Sequence, residues 1–485
     1  MSSRFDPAIT RRRFVQFLAG SPLLTHPGAP VLAQSISAPS RLADPMVWAP
    51  RDFDTLISDP KEALDVFDFE PVARKNLPPA HFGYMVTGID DEVTLRANRE
   101  GFLKFQLRPR RLVDVSMIDM TVEIFGAKYD NPIVIAPTGS NRTFHPDGEV
   151  AVFKAAKAGN HLQILSSGAT ASIEDAIAAR GAPVWFQVYP RKWEVTEALA
   201  RRAERAGSPV LVVTVDGGAT NWETFIRLRR TDTRQCDSCH RSDPQAFAAR
   251  RPNYDGIDVN DPTSLNIANL TWGSIMRLRD IVKMKIVLKG ILTREDAKLA
   301  ADNGIDGIIV SNHGGRVVDS GRATIEVLPE VIEAVGSRMP VLIDSGLRRG
   351  TDIIKALALG AHAVCVGRPY LWGLAAFGQP GVERVLEILR AETRAAMQQV
   401  GAPSIKHLTS PGDGATGMRC SQVPSEGSAC SSSARSQRLD AAAPGNRWRA
   451  TQLTGTGWPR SVSVAAGSQR HERAGWNGPA PLLSL

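Results

Sequence analysis

At 485 residues, with 43% apolar and 22% charged side chains, the chain has the composition of a globular protein; its length admits two or three domains, or one α/β barrel with extensions. Its 5 cysteines are too few for a disulfide-built scaffold. The formal net charge of +8 does not indicate a nucleic-acid partner, because no long block of Lys and Arg interrupts the middle of the chain.

Thr10-Arg11-Arg12-Arg13-Phe14-Val15-Gln16 precedes a modestly apolar run, Phe14 to Leu24, followed by the small-x-Ala sequence Val31-Leu32-Ala33. Residues 1–33 therefore resemble a twin-arginine export signal, which predicts a periplasmic protein exported folded with its cofactor inserted. The alternative is a basic tail on a cytoplasmic protein. Pro22, His26 and Pro27 break the run, so no stable membrane span is expected. Residues 34–60 contain Pro, Ser and Asp and read as a linker, and residues 61–110 look helical and include Leu77-Pro78-Pro79 and Tyr84.

From about residue 131, short β-branched runs alternate with helical periods. The runs are 132–136, 162–166, 184–188, 210–215, 285–289, 306–311, 339–343 and 362–366. Continuous apolar strands are buried on both faces, as in a parallel sheet. The pattern predicts an α/β fold, a (β/α)8 TIM barrel from 131 to about 400 with an N-terminal helical extension. A long insertion, about 217–284, separates the fourth and fifth runs and carries Cys236-Asp237-Ser238-Cys239-His240. Residues 410–485 are rich in Gly, Ser, Arg and Pro with no hydrophobic period. They read as a disordered tail resembling GC-rich sequence translated in a shifted frame.

Function in such a barrel lies at the C-terminal strand ends. Polar groups stand at all eight, beginning with Pro137-Thr138-Gly139 and ending with Gly367-Arg368. After the last two strands, glycines with Arg348 and Arg368 suit a phosphate. Lys289 reads as a fixed cation able to stabilise an anionic reduced cofactor. His313 reads as a base beside the carboxylate-binding guanidinium of Arg316, with Asp216 holding its tautomer.

Ser311-Asn312-His313-Gly314-Gly315-Arg316, Asp344-Ser345-Gly346-Leu347-Arg348-Arg349-Gly350, Val366-Gly367-Arg368-Pro369, Leu288-Lys289-Gly290 and His145-Pro146-Asp147-Gly148-Glu149 together resemble the FMN-dependent α-hydroxy acid oxidase and dehydrogenase family. That family includes glycolate oxidase, lactate oxidase, lactate monooxygenase, mandelate dehydrogenase and the flavin domain of flavocytochrome b2. The resemblance extends the barrel domain over 61–409 and implies FMN as cofactor, a small 2-hydroxy acid oxidised to a 2-oxo acid, oxygen or another redox acceptor, and a homotetramer. It implies His313 as the base, with Asp216 as its partner, and Arg316 and Tyr84 as substrate-binding residues. Tyr189 would hydrogen-bond the substrate hydroxyl or the developing oxyanion, and Lys289 would lie near flavin N1 and O2. Thr138, Ser166, Gln187 and Thr214 would contact the isoalloxazine and ribityl chain. Pro137, Gly139 and Ser311 fall in the same cofactor-binding set, Gly139 near flavin N5. Asp344, Ser345, Gly346, Arg348, Gly367 and Arg368 would hold the ribityl chain and phosphate. No metal is implied.

The chain departs from the family pattern in three places. After Thr214-Val215-Asp216 it has no arginine until Arg227, where the family carries a second carboxylate-binding arginine. Arg227, Arg229 or Arg230, or a hydrogen-bonding residue, is the expected substitute. Gly139 replaces an alanine common in oxidases, which leaves oxidase and dehydrogenase both open. Ser345 replaces a glycine and adds a hydroxyl able to contact the flavin chain or phosphate.

Cys236 to His240 has the spacing of a c-type haem attachment, which would make the protein an electron carrier. Haem c is attached to an unfolded chain, whereas a twin-arginine substrate arrives folded, and no separate small domain surrounds the motif. A cysteine pair acting as a staple, a metal site lacking an evident fourth ligand, and a lid segment are the other readings. A third function class is a flavin-binding barrel without turnover.

Overall fold

The computed structural model describes residues 56–217, 222–232, 243–266, 269–409 and the backbone of 420–422. Each apolar run forms a strand: β1 (Ile133–Ile135), β2 (Leu162–Ser166), β3 (Trp185–Val188), β4 (Val210–Thr214), β5 (Lys285–Ile291), β6 (Gly307–Val310), β7 (Val341–Ile343) and β8 (Ala363–Val366). They pair in parallel in chain order, and β8 closes on β1 to complete the barrel. The runs do not alternate polar with apolar because both faces are covered. Val134, Ile164, Val212, Val287 and Ile309 fill the interior. Their neighbours Ile133, Ile135, Leu211, Val213 and Leu288 pack in the layer beneath the outer helices.

A hairpin plugs the N-terminal end of the barrel. Val122–Ile124 pairs with Ala127–Tyr129 through Phe125-Gly126, both at positive φ (52° and 79°), as a type I′ turn requires. Phe125 packs on Trp185 of β3 with ring centroids 5.5 Å apart. With that end sealed, the chemistry is confined to the other.

The helix Pro79–Val86, with proline at its first position, carries Tyr84 to that open end. The described part of the insertion after β4 carries short helices. Helices Glu223–Arg230 and Pro244–Ala249 and the turn Pro252–Tyr254 precede the outer helix Trp272–Ile281, and Phe247, Tyr254 and Leu265 are buried in the core.

Two expected boundaries shift. Leu56 and Ile57 already pack against the core, inside the segment read as linker. Cys420–Gln422, inside the tail read as disordered, pairs antiparallel with Phe105–Leu107. The unpaired edge of that short strand accepted a partner that composition did not foretell. The export-signal motif, Cys236 to His240, and the rest of the tail lie outside the described residues.

Candidate active site

At the C-terminal rim a solvent-open cavity brings together most of the expected residues. Tyr84, Tyr189, His313, Arg316 and Lys289 line it with Pro137, Thr138 and Gly139. Asp344, Ser345, Gly346, Arg348, Gly367 and Arg368 line its other side. Asp216, Ser166, Gln187, Thr214 and Ser311 do not line it and act through neighbours. Three of these form a buried row between strand ends: Ser166 Oγ donates to Gln187 Oε1, and Gln187 Nε2 donates to Thr214 Oγ1, each at 2.8 Å.

His313 occupies a turn at φ +57°, and its ring lies between two partners. Nδ1 is 3.0 Å from Asp216 Oδ1 and Nε2 is 3.1 Å from the Tyr189 hydroxyl. An ionised carboxylate only accepts, so Nδ1 carries the proton and Nε2 accepts from Tyr189. Burial acts to raise the Asp216 pKa, but its interaction and hydrogen bond with His313 and the Lys289 charge outweigh it and hold the carboxyl below its usual range. Asp216 Oδ2 is buried with no hydrogen-bond partner among the described residues, so the charge is focused on the imidazole.

Burial opposes the charge of Lys289, yet Asp344, Asp216 and Tyr189 raise its pKa overall. Its Nζ donates to Ser311 Oγ at 2.9 Å and lies 3.5 Å from Asp344 Oδ2. It is therefore a permanent cation on the barrel floor. The Tyr189 phenol is driven upward by burial and stays a donor.

Arg316 lies between two aromatic faces, its guanidinium carbon 4.8 Å from the Tyr84 ring centre and 4.9 Å from that of Trp222. Its Nη1 donates to the carbonyls of Tyr84 at 2.7 Å and Thr87 at 2.8 Å. The Trp222 indole donates to the Arg316 carbonyl at 3.1 Å. None of Arg227, Arg229 and Arg230 lines the cavity, and Arg227 instead pairs with Glu223 one turn back on its own helix. Trp222 stands beside Arg316 together with Tyr84.

Sequence reasoning missed three residues. Phe144, directly before His145, lines the cavity and stacks on Tyr84 with centroids 6.3 Å apart. Trp222 was visible only as a residue of the departing segment. Arg251, from the insertion, is buried and joins two rim loops, with Nε donating to Gly168 O at 3.2 Å and Nη2 to Ser140 Oγ at 3.0 Å. No motif marks it, because its contacts to the two rim loops, at Gly168 and Ser140, are distant in sequence.

The cavity suits a phosphorylated flavin. Gly367 precedes the helical segment Arg368–Val400, and a Cβ there would meet nothing within 4 Å, so the space beside this helix start is open to a ligand. Lys289, Arg348 and Arg368 supply positive charge around it. Arg368 differs from expectation in that its guanidinium is engaged with carbonyls of Met85, Thr87 and Gly314, each at 3.0 Å. It joins the N-terminal helix to the His313 loop besides lining the cavity. The Ser345 hydroxyl is likewise engaged within the protein, with Asp344 and Gly314. Among the described residues no His, Cys, Asp and Glu side chains cluster as metal ligands, and no helix is long and apolar enough to cross a membrane.

The FMN-dependent dehydrogenase family matches residues 73–411. A peroxisomal (S)-2-hydroxyacid oxidase of Arabidopsis thaliana is 40% identical over 363 residues, covering 72% of this chain and 95% of that protein. Glycolate oxidase of Spinacia oleracea is 39% identical over 362 residues, again 72% and 95%. Among solved structures, a mandelate oxidase variant bound to 2-hydroxy-phenylacetamide superposes with a TM-score of 0.65 at 34% identity, over 74% of this chain and 99% of that one. A chimeric (S)-mandelate dehydrogenase also gives 0.65 at 34% identity, over 71% and 97%.

Proposed function

This chain belongs to the FMN-dependent dehydrogenase family, and from that premise we propose that it oxidises a small 2-hydroxy acid to the 2-oxo acid with His313 as the base. The observation that carries the reading is the Tyr189–His313–Asp216 row beside Arg316 and Lys289 in one cavity.

The reaction breaks the Cα–H and O–H bonds of the substrate and forms a C=O bond, releasing two electrons and two protons. FMN, when bound, would accept the two electrons together with the proton that His313 does not take, and would pass them to oxygen or another acceptor. Lys289, Arg348, Arg368 and the amides near Gly346 and Gly367 would hold it. Arg316 binds the substrate carboxylate, with the Tyr84 hydroxyl as second contact. The substrate hydroxyl takes the place of His313 as the acceptor for Tyr189. Nε2 is thereby free to take one of the two protons, either the α-proton or the hydroxyl proton. Asp216 stabilises the imidazolium that results.

Export through the twin-arginine route and a tetrameric assembly belong to the same proposal. The first rests on Thr10 to Gln16 and the second on the family. A screen of 2-hydroxy acids against the yellow protein under anaerobic conditions tests the activity. A substrate bleaches the wild-type flavin, and His313→Ala keeps the colour but loses bleaching. Near wild-type reduction by the variant would remove His313 as the base. Stopped-flow reoxidation by oxygen then separates oxidase from dehydrogenase.

A further inference from the structure

Ser345 sits at φ +75°, a backbone conformation that glycine adopts at little cost and serine adopts with strain. The following residue, Gly346, has φ +87°. A glycine at position 345 would be the relaxed choice for such a turn. The serine side chain makes two contacts that offset the strain. Its Oγ accepts from Gly314 N at 3.0 Å and donates to Asp344 Oδ1 at 2.7 Å.

These contacts close a circuit. Asp344 Oδ2 lies 3.5 Å from Lys289 Nζ. Lys289 Nζ donates to Ser311 Oγ at 2.9 Å, and that oxygen accepts from His313 N at 3.1 Å. Both His313 and Gly314 are thus tethered through a serine hydroxyl to the Lys289–Asp344 pair. Lys289, Ser311, Asp344 and Ser345 are all buried, so these contacts face little competition from water.

We infer that the Ser345 hydroxyl is a positioning group that couples the backbone of the base-bearing loop to the buried Lys289–Asp344 pair. Its acceptor side holds Gly314, and with it the strained His313 turn. Its donor side satisfies part of the Asp344 charge. Without that donor, Asp344 draws more fully on Lys289, and the ammonium offers less field to negative charge arriving in the cavity. One hydroxyl therefore affects both the placement of the base and the electrostatics of the cavity floor. The kinetic part of this inference rests on the 2-hydroxy acid reading above.

Two variants of the FMN-loaded protein separate strain from hydrogen bonding. Ser345→Ala keeps the left-handed strain and drops the hydroxyl, whereas Ser345→Gly drops both. The measurements are Tm, the midpoint potential of the bound flavin, FMN affinity, and anaerobic reduction rate at saturating 2-hydroxy acid across pH. Both variants are expected to shift the potential negative and to slow reduction about tenfold, as for loss of one charge-assisted hydrogen bond. The glycine variant is expected to melt above the alanine variant. Wild-type potentials and reduction rates in both variants, with only Tm altered, overturn the inference and leave Ser345 as a turn residue. A loss confined to FMN affinity also overturns it, since Ser345 would then be a cofactor contact. The potential and Tm need no substrate. They decide the role of Ser345 separately from the activity reading, which fails on its own if no 2-hydroxy acid bleaches the wild type.

Discussion

Asp216 Oδ1 meets His313 Nδ1 at 3.0 Å because Gly290, on the next strand, has no side chain. A Cβ on Gly290 would come within 2.7 Å of the Asp216 Cβ, and its φ of +114° suits glycine. The irregular register of β5 at Lys289 to Ile291 thus serves two ends, presenting Lys289 to the cavity and making room for Asp216.

Asp216→Asn removes the charge that fixes the tautomer and stabilises the imidazolium. Flavin reduction is expected to slow by about 10²-fold or more while FMN affinity holds. The native carboxyl has a pKa below its usual 3.8, so its contribution to stability is present above that value and is lost as pH falls below it. Melting curves should therefore show the acid-side loss below pH 3.8 reduced in the variant. An unchanged reduction rate would separate Asp216 from the base.

Trp222→Ala takes one aromatic face from Arg316 and the indole donor from its carbonyl. The guanidinium then samples other rotamers, and KM for the 2-hydroxy acid is expected to rise about tenfold, more than kcat falls. Steady-state kinetics with one substrate check this split.

Arg251→Met removes hydrogen bonds to Gly168 O, Ser140 Oγ and Phe247 O, and a guanidinium stacked 3.7 Å from the Phe247 ring centre. Burial lowers the arginine pKa to about 10, which leaves it charged at neutral pH. The variant is expected to lose about 3 kcal/mol in urea unfolding, since three hydrogen bonds and the guanidinium stacking are lost together. Gly139 packs against the Gly168 carbonyl, so flavin reduction should weaken as well.

His161 is buried and neutral, its Nδ1 3.2 Å from Ile133 O, and burial drives its pKa down from 6.5 to about 4. Neutral imidazole stabilises the fold above pH 6.5, and that stability is lost as pH falls toward 4. The loss is about 3 kcal/mol. His161→Phe should flatten the stability profile across that window while costing about 1 kcal/mol at neutral pH through the lost hydrogen bond to the Ile133 carbonyl. Tm against pH for both proteins is the measurement.

The barrel was legible because each strand is a short apolar run and each is covered on both faces, as Val210 to Thr214 illustrates. The chemical residues were legible because they sit at strand ends, where Asp216, Lys289, His313 and Arg368 each follow or close such a run. Arg251 and Trp222 were not legible as site residues. Each acts through contacts made across long sequence separations, to Gly168 and to Arg316, and no local pattern records those.

Sequence alone determined the parallel barrel, the rim that carries chemistry, and the set of groups available to bind a flavin and a 2-hydroxy acid. Periodicity and strand-end position are local properties, and the backbone geometry of a closed barrel converts them directly into place. Only the tertiary structure decided how those groups are wired. It turned Ser345 toward Asp344 and Gly314, spent much of Arg368 on backbone carbonyls, and put Trp222 rather than a second arginine beside Arg316. Hydrogen-bond direction and ring stacking depend on angles and distances between elements, which become defined only when the packed core holds those elements in place.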